Sequence, residues 1–276
     1  MKKPMIRIYI VLLASVAACV FIAPSALGHT SAWATDTTAR MRLMKPENAQ
    51  AADDDTGAAR ISFILDDGWS TQYSQGYAEL QKYDYPASIA VIPAAVNTEN
   101  YMSYSELADL YLDGWDMLNH TYNHVLLSGS EPNEQLLQMT KAREWLQSRG
   151  LKRGCDIVVY PGGEFDDNTV NALEAGGFSA GRSLKSLWSA QAGCSLENVE
   201  ICNLMCDMSF ENVEEAVNKA IRSGSALILI VHKIEPVTDD AHMQVPSEYF
   251  SRVVEYVHKN ENSLRVMTLT QLLESY

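Results

Sequence analysis

Apolar and polar positions along this chain follow two alternating rhythms. Short apolar runs without helical period fall at about 61–65, 87–92, 115–119, 156–160, 178–182, 199–204, 226–232 and 265–268, each of a length that suits a strand. Between them, near 71–83, 103–112, 132–149, 166–176, 211–223 and 247–259, and again from about 270, apolar residues recur at helical spacing. Pro132 near a helix start and Gly150 just past its end fit the usual asymmetry of helix termini. Strand then helix, repeated, predicts an α/β fold of parallel strands joined by crossover helices. A closed barrel and a doubly wound open sheet give the same string, so the pattern alone leaves both open.

In either architecture, active sites assemble at the C-terminal edge of the strands. Four polar clusters fall there. Ile61–Leu65 runs into Asp66-Asp67-Gly68, and Trp115–Asn119 into His120-Thr-Tyr-Asn-His124. Asp156–Tyr160 runs into Pro161-Gly162-Gly163, and Ala226–Val231 ends on His232. Each has a bland reading: an acidic turn, two unrelated histidines, a Pro-Gly turn, a satisfied core histidine. Their common position argues against coincidence. Two imidazoles four residues apart share one face of a helical turn and can ligate one ion. Adjacent carboxylates closing a buried strand call for a cation or a proton-transfer task.

In this order the motifs resemble the polysaccharide deacetylases of the NodB homology group, carbohydrate esterase family 4, over roughly residues 60–275. The resemblance implies a distorted (β/α)7–8 barrel and a metal-dependent hydrolysis of acetyl groups on a glycan. By position, it makes Asp67, His120 and His124 the ligands of one divalent metal, zinc in the first place, with cobalt, nickel or manganese as alternatives. Asp66 would be the general base and His232 the general acid. The N–H of Gly162 would stabilise the oxyanion, with Tyr160 and Trp188 lining the substrate pocket and Asp207 orienting His232. Three positions depart from the family pattern. Val159 stands where many members carry an arginine that tethers the catalytic aspartate, Trp69 follows Asp-Asp-Gly in place of proline, and no Asp-rich motif precedes His232. A non-catalytic carbohydrate-binding module on the same scaffold is therefore the alternative reading. An amidohydrolase-type barrel fits less well, since no His-x-His follows the first strand.

The first 34 residues follow another logic. Lys2, Lys3 and Arg7 precede an apolar run from Ile8 to about Ala26, and Ala32-Trp-Ala34 is a small-x-small cleavage candidate, the pattern of a secretory signal. Val16-Ala-Ala-Cys19 also resembles a lipobox, and the run is long enough for an uncleaved membrane helix. All three options place the catalytic part outside the cytoplasm, at the cell surface or beyond it. Residues 35–59 are Ala-rich and acidic, with little that can pack, and read as a linker. Residues 60–276 suffice for one domain with a sizeable core.

Formal net charge is −14, and without residues 1–34 it becomes −17. Such acidity repels nucleic acid at long range and suits a neutral or cationic acetylated glycan, peptidoglycan or chitin-like. Cys155, Cys194, Cys202 and Cys206 remain beyond the N-terminal segment. One disulfide among the last three and a set of buried free thiols are both open.

Overall fold

The computed structural model describes residues 57–205, 207–236 and 244–276. The expected signal or anchor, nearly all of the linker, and Cys206 lie outside the described residues. The strands are β1 (Ala59–Leu65), β2 (Ser88–Val91), β3 (Asp116–Asn119), β4 (Ile157–Val159), β5 (Ala180–Arg182), β6 (Leu187–Ser189), β7 (Cys194–Ser195), β8 (Val199–Asn203), β9 (Ala226–Val231), β10 (Lys233–Glu235), β11 (Gln244–Pro246) and β12 (Leu264–Val266). The main sheet has ten strands in the order β7-β6-β5-β4-β3-β2-β1-β9-β8, with β12 also paired to β1. Every predicted strand is present, and all of these pair in parallel. The β6–β7 hairpin, joined antiparallel to β5, was not anticipated: its strands, of three and two residues, are too short to leave a periodic signal.

Alternating side chains build two cores. Ile61, Phe63 and Leu65 of β1 and Leu227, Leu229 and Val231 of β9 point outward. There they meet Val213 and Val217 of helix Phe210–Ser223 and Val253 and Val257 of helix Ser247–Lys259. Ile64, Ala90, Leu118, Val159, Ala180, Leu187, Ile228 and Ile230 point the other way and form a single inner cluster. Residues of β4–β6 and of β9 lie on opposite sides of β1 in the strand order, so they can share a cluster only if the sheet curls. It does, into a half-barrel of the distorted (β/α) type with flanking helices. No ladder among the described residues joins β7 to β8.

The last helix, Leu269–Glu274, plugs the floor with Leu269 and Leu272. Its first turn is fixed by Thr268 in a capping box, and by bonds from Leu269 N to Ser88 Oγ (2.9 Å) and from Thr270 N to Asp116 Oδ2 (2.8 Å). The helix expected over 71–83 forms as three tight pieces: a π turn at Gln72–Tyr77, an α turn at Ala78–Leu80 and a 3-10 turn at Gln81–Tyr83. Among the described cysteines, Cys155, Cys194 and Cys202 are free thiols. No described helix is long and apolar enough to cross a membrane.

Candidate active site

The C-terminal ends of β1, β3, β4, β5 and β9 meet at the open mouth of the half-barrel. Asp66 N still bonds Val231 O at 2.9 Å, one residue past the end of β1. The chain then turns through Asp67 at φ +80°, uncommon for a residue with a Cβ. Both carboxylates are buried, at 3% and 4% exposure.

His120 continues β3, its N–H bonding Val91 O at 3.1 Å. The following residues do not form the helical turn expected from the four-residue spacing. Thr121 and His124 have φ of +59° and +61°, and the loop is pinned by Thr121 N to Asn119 Oδ1 (3.0 Å) and Asn119 Nδ2 to Met139 O (2.8 Å). The loop still brings both imidazoles to one carboxylate. His120 Nε2 is 3.2 Å and His124 Nε2 3.3 Å from Asp67 Oδ1. The three ligand atoms lie within 4.8 Å of one another.

The chemistry of this donor set fits a cation. Val159 O can only accept, so its 2.8 Å contact with His120 Nδ1 assigns the ring proton there and leaves a lone pair on Nε2. That lone pair faces a carboxylate oxygen, an arrangement a positive ion between them stabilises. One oxygen and two imidazole nitrogens match the catalytic zinc sites that keep coordination positions open. Burial pushes the Asp67 carboxyl up, but the imidazoles of His120, His232 and His124 around it outweigh this and hold the group below the usual carboxylate range. Burial, with His120 beside it, pushes the His124 imidazole down, which favours the neutral, ligating form.

Asp66 is paired with Arg182 and not with the imidazoles of this triad. The Nη2 group of Arg182 donates to both of its oxygens, at 2.5 and 2.6 Å, and the guanidinium is fully buried. Arg182 ends β5, where its register partner is Val159 of β4. The tether absent from Val159 is thus present one strand to the side. The sequence held a signal for it: strand candidate 178–182 closes on a charged residue at the same edge as the four clusters. His232 Nε2 lies 3.8 Å from Asp66 Oδ2. A second residue missed from the sequence is Gln72, fully buried. Its Nε2 donates to the backbone carbonyls of Asp66 (2.5 Å) and His232 (2.8 Å).

Other expected site residues lie elsewhere. Tyr160 and Trp188 belong to the cluster beneath helices Pro132–Ser148 and Asp167–Gly176, with Val158, Leu173 and Phe178. Strand alternation puts both on the outer face, opposite to Val159: a Cβ on outward-facing Gly181, the register partner of Trp188, would sit 1.8 Å from the Tyr160 hydroxyl. Neither side chain lines the site. Gly162 is exposed, at φ +65° in the Pro161–Gly163 turn after β4. Asp207 is exposed, and no contact between it and His232 is found among the described residues. Beside the triad opens a cleft of about 350 Å³, lined by Asp67, Trp69, Ile92, Ala94, Ala95, Tyr101, Asn123 and His124.

Residues 53–181, which carry β1 to β4 and most of β5 with Asp66, Asp67, His120 and His124, match the polysaccharide deacetylase family profile. That segment resembles the polysaccharide deacetylase family. Bacillus subtilis YxkH, named as a polysaccharide deacetylase, is 24% identical over 121 residues, covering 44% of this chain and 43% of its own length. The chain therefore spans less than half the length of that curated relative. Solved structures share the fold. A family 4 carbohydrate esterase from Bacillus anthracis superposes with a TM-score of 0.54 at 17% identity, over 80% of this chain and 86% of that one. A Mycobacterium smegmatis protein named as a polysaccharide deacetylase gives 0.56 at 15%, over 79% and 90%. The peptidoglycan deacetylase PdaC of Bacillus subtilis gives 0.51 at 15%, over 80% and 92%. Deacetylases of this family are hydrolases that use a divalent metal, and the candidate site for one in this chain is the Asp67–His120–His124 set.

Proposed function

We propose that this chain is a metal-dependent deacetylase that hydrolyses N-acetyl groups of a glycan, peptidoglycan or a chitin-like polymer, outside the cytoplasm. The observation that carries the reading is the division of labour between two neighbouring carboxylates: Asp67 faces two imidazoles, while Asp66 is held by Arg182 within reach of a third. A ligand set and an acid–base pair share one mouth.

Asp67, His120 and His124 would hold the ion, zinc in the first place, which when bound polarises the acetyl carbonyl and acidifies water. Asp66 accepts the proton of the attacking water, its carboxylate oriented by Arg182. His232 donates a proton to the sugar nitrogen as the C–N bond breaks, releasing acetate and a free amine. The Gly162 N–H would stabilise the tetrahedral oxyanion. The basic-then-apolar N-terminal segment supports export, with the membrane engaged only through that segment. PdaC, a neighbour in fold, is a peptidoglycan deacetylase, which makes N-acetylated cell-wall glycan the first substrate to test.

The alternative of a non-catalytic carbohydrate-binding module drew on the missing arginine, and Arg182 removes much of that support. Acetate release from N-acetylglucosamine oligomers and muropeptides separates the two. Turnover is expected to stop with a chelator, to return with zinc, and to be lost in Asp66→Asn although that variant still binds metal. A metal-loaded protein that releases no acetate from any acetylated glycan would favour the binding module.

A further inference from the structure

Trp69 is in direct contact with the candidate metal centre. Its indole N–H donates to Asp67 Oδ2 at 2.9 Å, while both imidazole Nε2 atoms face the other oxygen, Oδ1. The two oxygens of one carboxylate therefore have separate partners. An indole nitrogen is a donor only and cannot itself ligate an ion, so its contribution is to fix the rotation of the carboxylate.

The indole is itself held on both faces. Tyr101 stacks on one, with ring centroids 4.4 Å apart and planes at 22°. Lys233 Nζ lies 4.4 Å from the ring centroid, and with Tyr101 on one side it occupies the other. The backbone is fastened as well: Trp69 pairs with Tyr101 in an antiparallel bridge, Ser70 N bonds Asn100 O at 2.9 Å, and Met102 N bonds Gly68 O at 2.8 Å. A cation over the π face draws electron density from the ring, which strengthens the N–H as a donor. Asp67 is only 4% exposed, so little water competes for Oδ2.

We propose that Trp69 is a positioning residue for the metal centre, its N–H holding Asp67 so that Oδ1 alone is turned to the ion, with Tyr101 and Lys233 clamping the indole in place. This rests on the reading that Asp67, His120 and His124 hold a divalent ion. Removing an outer partner of a metal ligand typically weakens affinity by about 10–100-fold.

The test is a zinc titration of metal-stripped protein in competition with a chromophoric chelator. Trp69→Phe keeps a ring to stack but loses the N–H. The expected result is one zinc bound by both proteins, with Kd raised about 10–100-fold in Trp69→Phe, and metal-free melting temperatures within a few degrees of each other. Equal zinc affinity in the two proteins would overturn the proposal. A wild-type chain that binds no zinc or cobalt would instead sink the metal reading beneath it, and the proposal with it. Wild-type protein alone supplies a second measurement. Among the five tryptophan indole N–H signals in a 1H–15N spectrum, one should be protected from solvent exchange and shift on adding zinc; five unmoved signals would overturn the proposal even if Trp69→Phe fails to fold.

Discussion

Arg182 and Asp66 form an ion pair that water hardly touches, at 0% and 4% side-chain exposure. Removing one partner of such a pair strands the other as a bare buried charge, at a cost of about 3–5 kcal/mol. Arg182→Met should therefore lower the melting temperature sharply and reduce kcat. Adding Asp66→Asn to it removes the stranded charge, so the double variant should recover stability while staying inactive. A double variant no more stable than Arg182→Met would show that packing, not charge, is what Arg182 supplies. This guanidinium was legible only in part: the apolar run before it marked β5, but nothing in a linear reading says that β5 lies beside β4 and can serve its neighbour.

Helix Asp167–Gly176 and the loop bearing His124 meet at Asp166. This side chain caps the helix through Thr169 N at 2.9 Å and also accepts from Gly129 N at 2.9 Å. Those backbone bonds, that of Gly129 foremost, lower its carboxyl to about 2 from an ordinary value of 3.8. Since the folded value is the depressed one, the stabilisation is fully present above the ordinary value and fades as pH falls through about 2. Asp166→Ala should thus melt below wild type at neutral pH, and the gap should narrow as the pH is taken down toward 2. A gap independent of pH would count against the cap. At this scale the periodic segments were read nearly in full, because burial of one face imposes a strong pattern. The loop after His120 was misread as helical, because spacing alone cannot register positive φ at Thr121 and His124, and the three-part segment after Trp69 escaped because π and 3-10 turns share the α-helical rhythm closely.

Two properties belong to the half-barrel as a whole. Its floor is closed by the terminal helix, so Leu272→Ala should cost about 2–5 kcal/mol although the residue lies at the end opposite the mouth. The mouth gathers ligands from β1 and the loop after β3, so an ion there ties distant segments together. Zinc at a hundredfold excess over its Kd should add about 2.7 kcal/mol, seen as a rise in melting temperature that a chelator reverses; no rise would mean that no ion binds the folded state preferentially. Curling itself could not be read from the chain, since it depends on which inner side chains meet across β1. Tyr160 and Trp188 were misplaced for a related reason: being next to the site in sequence does not fix which side of a sheet a residue takes. Gln72 shows the opposite case, a residue outside every motif that grips two of them. One amide nitrogen holds the main chain at both Asp66 and His232, so the proposed proton acceptor and proton donor ride on a common yoke. Any flexing of the sheet would then carry the two together, so on the proposed reading the gap that a sugar nitrogen must fit would be insulated from breathing elsewhere in the molecule.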